Sequence, residues 1–177
     1  MRRGTWGVVL ATVTVAATVP TVGWALTTTT KPRIQILGGA SFEANRFIQD
    51  KQRFNKDVYQ VKSGAKIQIN SKTKEEPHTV SVVSRRDLPK SVADFGKCYR
   101  GGICAQLEKD HGAPENGEGP PTNPLVDKGA TGFDARGDSI VIDPGGKGRF
   151  TVSAKKGRTL YIMCVIHPWM QAKIKVK

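Results

Sequence analysis

The chain has 177 residues, of which 38% are hydrophobic and 24% are charged, and this predicts one domain with one buried core. Lys and Arg number 28 against 15 Asp and Glu, so the formal charge of +13 first suggests a polyanionic partner, such as nucleic acid or an anionic membrane. The chain holds only three Cys and three His, which excludes arrays of zinc sites and enzymes with several copper centres. Any metal site must therefore be small.

The first 26 residues have the pattern of an export signal. Arg2 and Arg3 precede an uncharged run over residues 5–26, which ends with the small residues Gly23 and Ala25 before basic residues resume. This pattern predicts cleavage near Ala25. An uncleaved membrane anchor is the alternative, because the run is long enough to span a bilayer. In either case we expect the body of the protein, residues 27–177, outside the cytoplasm: in the periplasm, in the cell envelope or secreted.

Outside the cytoplasm, disulfides persist, and this changes the meaning of the three cysteines. Cys98 and Cys104 are separated by five residues that include two Gly, so we expect these two to pair. Cys164 is then left over. An odd Cys in an exported protein is either a liability or a metal ligand.

Short strand-like segments recur along the chain at roughly ten-residue spacing, with turn-forming residues between them. In chain order they cover residues 61–70, 79–83, 139–142, 149–153, 159–165 and 172–176. This pattern predicts an all-β fold, an antiparallel β-sandwich. Short helices are predicted at about residues 44–50 and 90–110.

Residues 85–137 differ in composition from the rest of the chain. They hold the two Cys expected to pair, His111, and a Pro- and Gly-rich run without apolar periodicity. We interpret this segment as an insertion on the sandwich. His111 lies between Asp110 and Gly112 with no second soft ligand beside it, so we expect it to be exposed to solvent.

The residues that carry chemistry concentrate between the last two predicted strands. Cys164, His167 and Met170 follow one another at intervals of three, and their thiolate, imidazole and thioether form a soft ligand set. His78, at the head of another strand, can supply a second imidazole. Two His, one Cys and a weak axial Met suit copper in both its Cu(I) and Cu(II) states. The alternative is a buried structural Cys with unrelated His residues, which the joint occurrence of these few residues disfavours.

From about residue 61 to residue 177, this pattern resembles the blue-copper cupredoxins. The resemblance is carried by the early E-P-H-T-V and the late Y-x-x-C-x-x-H-P-x-M, whose ligand spacing is similar to that of amicyanin. It implies a Greek-key sandwich of about eight strands. It also implies one copper ion held by His78, Cys164, His167 and Met170, and a one-electron carrier rather than an enzyme.

Neighbours of the expected ligands also have expected roles, that of Thr79 from the resemblance and those of Pro168 and Trp169 from their chemistry. Thr79 stands where many family members carry an Asn that ties two ligand loops together, and we expect its hydroxyl to do part of that work. Pro168 has no N–H to donate towards the Cys164 sulfur, so we expect it to favour the oxidised state. Pro168 and Trp169 flank His167, which predicts an apolar electron-transfer patch around a partly exposed imidazole edge. A Trp169 buried in the core is the alternative.

Other functional classes remain open at this point. A copper-binding or copper-delivery protein without a dedicated redox partner would use the same ligands but exchange its metal readily. A nucleic-acid-binding module is disfavoured, because the Lys and Arg residues are scattered and are not interleaved with aromatics. We expect a monomer whose charge, +11 once Arg2 and Arg3 are removed, meets an acidic redox partner or an anionic envelope. Such an association would weaken as salt is added.

Overall fold

The computed structural model of the chain describes residues 31–114 and 120–177. The expected signal or anchor lies outside the described residues. Within the two described ranges, no helix is both long enough and apolar enough to cross a membrane.

Twelve strands and two α-helices form within these ranges. The strands are β1 (Arg33–Leu37), β2 (Ala40–Glu43), β3 (Phe47–Asp50), β4 (Arg53–Phe54), β5 (Val58–Val61), β6 (Lys66–Ser71), β7 (His78–Val83), β8 (Leu125–Val126), β9 (Ser139–Ile142), β10 (Lys147–Thr151), β11 (Thr159–Met163) and β12 (Gln171–Val176). The helices are α1 (Val92–Tyr99) and α2 (Ile103–Asp110), preceded by a 3₁₀ turn at Arg85–Asp87.

The strands form two stacked sheets and a separate hairpin. One sheet has the order β10-β6-β1-β4, the other has the order β5-β12-β11-β7-β9-β8, and β2 pairs with β3. Most neighbours are antiparallel, whereas β1 is parallel to β6 and β12 is parallel to β5. The all-β sandwich predicted from the sequence is therefore confirmed.

Alternation along the strands builds the main core between the two sheets. In β12, Ala172, Ile174 and Val176 are buried while Lys173 and Lys175 are exposed, because successive side chains of a strand point to opposite faces. The same alternation orients the residues around the predicted ligands.

One residue of the predicted insertion belongs to this main core. Phe133 is buried and stacks on Phe150 of β10, with the two ring centroids 4.1 Å apart. The backbone of Phe133 also bridges to that of Val152. The segment from residue 85 onwards therefore rejoins the sandwich before residue 137.

A second, smaller core lies where α1 and α2 pack against the outer face of β7 and β11. Its buried members are Val83, Cys98, Ile103, Cys104, Leu107, Met163 and Val165. Cys98 and Cys104 form the expected disulfide, which joins α1 to α2. Met163 belongs to this second core while Cys164 belongs to the main one, as alternation at the end of β11 requires.

Two local expectations are wrong. Residues 44–50 are not helical: they form a turn and β3, whose Ile48 stands opposite Phe42 of β2. Asn45 supplies the turn with a positive φ of 60°, a conformation that Asn adopts more readily than most residues.

His111 is not exposed to solvent, since only 3% of it is accessible. It ends α2 and turns inward, where the carbonyl of Asn123 and the buried hydroxyl of Ser139 contact its two ring nitrogens.

The ends of four strands position the predicted ligands. β6 ends and β7 begins at the same end of the sandwich where β11 ends and β12 begins, because β7 and β11 are antiparallel neighbours. β1 runs parallel to β6, so the β2–β3 hairpin, which follows β1, lies at this end too. The loop before His78 and the loop after Met163 therefore meet there.

Candidate metal centre

Three of the four predicted ligands meet at this end of the sandwich. His78 opens β7, whereas Cys164 and His167 lie in the loop between β11 and β12. The Nδ1 atom of His78 is 4.0 Å from Cys164 Sγ, and the Nδ1 atom of His167 is 3.6 Å from it. The three ligand atoms all lie within 4.8 Å of one another, and all three residues are buried.

Backbone hydrogen bonds fold the ligand loop into a tight turn. The N–H of Cys164 donates to the carbonyl of Met170 at 3.0 Å, and the N–H of Met170 donates to the carbonyl of His167 at 2.8 Å. These bonds bring Cys164 and His167 to one face of the loop. Met170 closes the turn with its side chain buried in the main core.

A carboxylate orients the His167 ring from its far side. Glu76 Oε2 lies 2.5 Å from His167 Nε2. A carboxylate accepts hydrogen bonds, so Nε2 carries the proton and the Nδ1 lone pair faces the Cys164 sulfur. Hydrogen bonds from Gln52 and then His167 lower the pKa of Glu76 below its usual value, which keeps this carboxylate ionised at neutral pH.

The His78 ring is held in a similar way by hydroxyls. Its Nε2 atom is 2.7 Å from Thr73 Oγ1, which in turn lies 2.9 Å from Ser71 Oγ. Burial, and secondly the neighbouring His167, lower the pKa of His78 to about 4. The ring is therefore neutral at pH 7, with its Nδ1 lone pair free to bind a metal ion.

The Cys164 sulfur lies in an enclosed apolar setting with a backbone donor. The N–H of Thr79 donates to Cys164 Sγ at 3.3 Å. Burial raises the pKa of the Cys164 thiol, and the hydrogen bond from Thr79 acts in the opposite direction. A buried thiol of this kind ionises when a cation takes the place of its proton. Two imidazoles and such a thiol fit a soft metal ion.

Thr79 connects the two ligand loops. Besides the bond from its N–H to the sulfur, its hydroxyl accepts a hydrogen bond from the N–H of Val165 at 2.8 Å. Val165 directly follows Cys164 in the ligand loop. Thr79 thus joins the start of β7 to the loop that holds Cys164.

The α1 helix braces the same loop. The hydroxyl of Tyr99 lies 2.8 Å from the carbonyl oxygen of Val165 and 3.0 Å from that of Ile166, and donates to both. The Phe95 ring lies 5.7 Å from the Trp169 ring. Residues of the predicted insertion thus contact the ligand loop at two points.

The partly exposed imidazole edge expected at His167 is wrong. Only 4% of His167 is accessible, because Glu76 covers Nε2 and the Trp169 ring stands edge-on 5.2 Å away. Trp169 itself is 40% exposed, so it is not a core residue, whereas Pro168 is buried. Trp169, and not the imidazole, is therefore the aromatic group at the surface.

Three polar partners of the ligands are not predicted from the sequence: Glu76, Gln52 and Thr73. Glu76 stands two residues before His78, and this short separation could have identified it as a polar partner of the predicted ligands. Gln52 lies in a segment whose strands the sequence does not predict, and Thr73 lies in a polar loop. No sequence signal distinguishes these last two.

The two-sheet sandwich carries at one end a buried His–Cys–His group whose ligand atoms lie close enough together to hold a metal ion. This fold and this group fit the blue-copper cupredoxin family.

Comparisons with known proteins add the following findings. No protein-family model matches the sequence, and no curated protein matches it. Among solved structures, a reduced amicyanin mutant is 13% identical, with a TM-score of 0.40 over 82% of this chain and 81% of that one. An oxidised amicyanin mutant is 11% identical, with a TM-score of 0.41 over 83% and 82%. Amicyanin from Paracoccus versutus is 8% identical, with a TM-score of 0.40 over 84% and 83%. Likeness at this level carries no argument about function, so the proposal below depends on the fold and the ligand geometry.

Proposed function

We propose that the protein binds one copper ion and serves as an extracytoplasmic one-electron carrier. The ligands are His78, Cys164 and His167, with Met170 as a weak axial ligand. The observation that carries the proposal is the convergence of one sulfur and two imidazole nitrogens within 4.8 Å in a buried site. Bound copper would take up one electron as Cu(II) and release it as Cu(I).

The residues around the ligands hold them still. Thr73 and Glu76 fix the two imidazole rings from their far sides, and Thr79 fixes the sulfur. Ligands that are hydrogen-bonded in this way keep their orientation when the charge of the site changes. Little rearrangement is then needed for an electron to enter or leave.

Trp169 is the group through which we propose that electrons pass to and from the surface, with Pro168 packed beside it. Its ring lies 5.2 Å from the His167 ring, and its outer face is accessible to a partner protein. This replaces the direct exposure of the imidazole that the sequence suggested.

Burial of the ligands favours a carrier over a copper-delivery protein or an enzyme. His78 and Cys164 are fully buried, and His167 is nearly so. A delivery protein needs ligands that another protein can reach, and an enzyme of this type needs open access for its substrate. An electron needs neither, since it can cross the protein side chains.

The partner is proposed from charge. The formal charge of +13 suits an acidic docking surface on a redox partner, or attachment to an anionic envelope, of a protein that acts as a monomer outside the cytoplasm.

The decisive test is the visible spectrum after one equivalent of Cu(II) is added to the purified protein. An intense thiolate-to-copper band at about 600 nm is expected for copper bound by two imidazoles and a thiolate. Cys164→Ser should lose the band, because it removes the sulfur. Absence of the band in the wild type, or its persistence in Cys164→Ser, would refute the proposal.

A second variant tests the axial ligand. Met170→Leu should keep the band but shift it and raise the midpoint potential, because one donor to Cu(II) is lost. Met163→Leu is the matched control, since Met163 is equally buried but faces the second core. Equal behaviour of the two variants would exclude Met170 as a ligand.

A further inference from the structure

We propose that His111 is a positioning residue of the metal centre. It acts through two buried hydroxyls, those of Ser139 and Ser81, on Thr79, which holds the Cys164 sulfur in place. We call Ser139, Ser81 and Thr79 the hydroxyl relay. The effect on copper rests on the proposed function, whereas the relay itself is a property of the chain with or without metal.

The hydroxyl relay is an unbroken series of short hydrogen bonds. His111 Nε2 lies 2.7 Å from Ser139 Oγ, and Ser139 Oγ lies 2.7 Å from Ser81 Oγ. Ser81 Oγ donates to Thr79 Oγ1 at 2.9 Å. All four residues are buried, so water does not compete for these hydrogen bonds.

Strand register and alternation explain why these residues meet. Ser81 of β7 stands directly opposite Ser139 of β9. Thr79 and Ser81 are two residues apart on β7, so both side chains point to the outer face of the sheet, away from the main core. The α2 helix packs over that outer face, and His111 at its end lies within hydrogen-bond distance of Ser139.

The far end of the relay reaches the Cys164 sulfur through one residue, Thr79. Thr79 accepts from the N–H of Val165 with its hydroxyl and donates to Cys164 Sγ with its backbone N–H. A change in the hydrogen bonding of the Thr79 hydroxyl therefore bears directly on the ligand loop and on the sulfur.

The protonation state of His111 determines which group donates in each hydrogen bond of the relay. The carbonyl of Asn123 lies 2.6 Å from His111 Nδ1 and can only accept, so Nδ1 carries a proton. Ser81 has one proton, which it donates to Thr79, so it must accept from Ser139. Ser139 must then accept from a protonated Nε2. This order therefore requires the doubly protonated, charged ring.

A neutral His111 imposes a different order. With its single proton on Nδ1, the ring accepts at Nε2 from Ser139. Ser139 then has no proton left for Ser81, and the bond between the two serines must take its proton from Ser81. Thr79 Oγ1 consequently no longer accepts a hydrogen bond from Ser81. Protonation of His111 therefore changes the hydrogen bonding next to the Cys164 sulfur.

The surroundings of His111 allow both states. Burial lowers the pKa of His111, while its hydrogen bond to Asn123 and the adjacent Asp110 act in the opposite direction. Asp110 is paired with Lys128 at 3.2 Å, which weakens its effect. Asp138, next to Ser139, is a buried carboxylate that accepts hydrogen bonds from the backbone N–H groups of Lys128, Asp134 and Ala135.

The first test uses the metal-free protein and nuclear magnetic resonance. The amide resonances of Thr79 and Val165 should shift with pH along the imidazole titration of His111. Ser139→Ala should abolish these coupled shifts, because it interrupts the relay. Ser153→Ala is the matched control, since Ser153 Oγ has no hydrogen-bond partner among residues 31–114 and 120–177, and it should keep them.

Three outcomes of this first test would overturn the relay. The first is that the amide resonances of Thr79 and Val165 do not shift as His111 titrates. The second is that the coupled shifts persist in Ser139→Ala, and the third is that His111 stays neutral until the protein unfolds.

The second test uses the copper-loaded protein. His111→Phe should change the Cu(II)/Cu(I) equilibrium about tenfold, as expected for one hydrogen bond altered beside a charged ligand. His111→Gln can still bond to Ser139 but cannot titrate, so it should keep the wild-type band and lose its pH dependence. Leu107→Ala loosens the same helix without touching the relay, and should lower stability while leaving the pH profile intact.

The outcomes separate the two proposals. If the wild type has no blue band but its amides follow His111, the proposed function fails and the relay stands. If the band forms and neither His111 variant differs from the wild type in potential or pH profile, the relay is overturned and the proposed function stands.

Discussion

Cys164 receives a backbone hydrogen bond from another strand, from the N–H of Thr79 at 3.3 Å. Pro168, which follows the second ligand of the loop, has no N–H with which to add another. With copper bound at the proposed site, a thiolate with fewer donors would keep more electron density and stabilise Cu(II) over Cu(I). We therefore expect Pro168, which is not a proposed ligand, to lower the midpoint potential of the site.

Pro168→Ala tests this influence. The new N–H can donate towards the sulfur, which should favour the reduced state by about 1 kcal/mol and raise the midpoint potential measured by redox titration. Pro144→Ala, in the turn before β10, is the control for the general effect of losing a proline. A midpoint potential that Pro168→Ala leaves unchanged would contradict the interpretation.

The α1 and α2 helices pack beside the candidate site and support the loop that holds Cys164 and His167. Tyr99 at the end of α1 bonds to the carbonyls that follow Cys164, and His111 at the end of α2 reaches Thr79 through two serines. The disulfide joins the two helices, and the second core anchors both to the outer face of β7 and β11. The segment thus has a structural role near the site, and the sandwich alone would leave this face of the loop uncovered.

Tyr99→Phe tests the brace. Loss of the hydroxyl leaves the carbonyls of Val165 and Ile166 without this donor, which should lower the free energy of unfolding by about 1 kcal/mol and speed copper release to a chelator. Tyr161→Phe is the control, because no hydrogen bond of its hydroxyl occurs in the described part of the chain. Equal copper release by the two variants would show that α1 does not hold the loop.

Across the whole molecule, two buried histidines link folding to pH. The pKa of His78 is lowered to about 4, and burial also lowers the pKa of His111. Once unfolded, both rings regain an ordinary pKa of about 6.5. At pH values between the folded and unfolded pKa, the unfolded chain binds more protons than the folded one. The histidines therefore contribute their full stability above the unfolded pKa, and this contribution is lost as the pH falls towards the folded pKa.

The metal-free protein should therefore be less stable in mild acid. Between about pH 7 and about pH 5, His78 alone should lower the free energy of unfolding by about 2 kcal/mol, measured by urea denaturation. His78→Gln should reduce this slope, because the amide does not titrate. A slope that is the same in both proteins would show that His78 does not stay neutral in the fold.

Much of the sandwich and its disulfide could be predicted from the sequence, because both depend on patterns local in the chain. Period-two alternation marks β6 and β12, β-branched or apolar runs between turn-forming residues mark β7, β9, β10 and β11, and the short separation of Cys98 from Cys104 allows the pair. Before residue 61, β1 and β5 alternate in the same way, whereas β2, β3 and β4 carry no comparable pattern. The β2–β3 hairpin exposes Phe42 and Ile48, and its polar and apolar residues do not separate onto two faces, so a helix looked equally plausible there.

The three residues that converge at the candidate site, His78, Cys164 and His167, could likewise be predicted from the sequence, because His and Cys at these spacings are rare in a chain with three Cys and three His. Only the tertiary structure decided what surrounds them. His111 is buried because β9 places Ser139 opposite Ser81, and His167 is covered because Glu76 reaches it from another loop. Such contacts join residues far apart in the chain through sheet register and packing, and neither leaves a local pattern in the sequence.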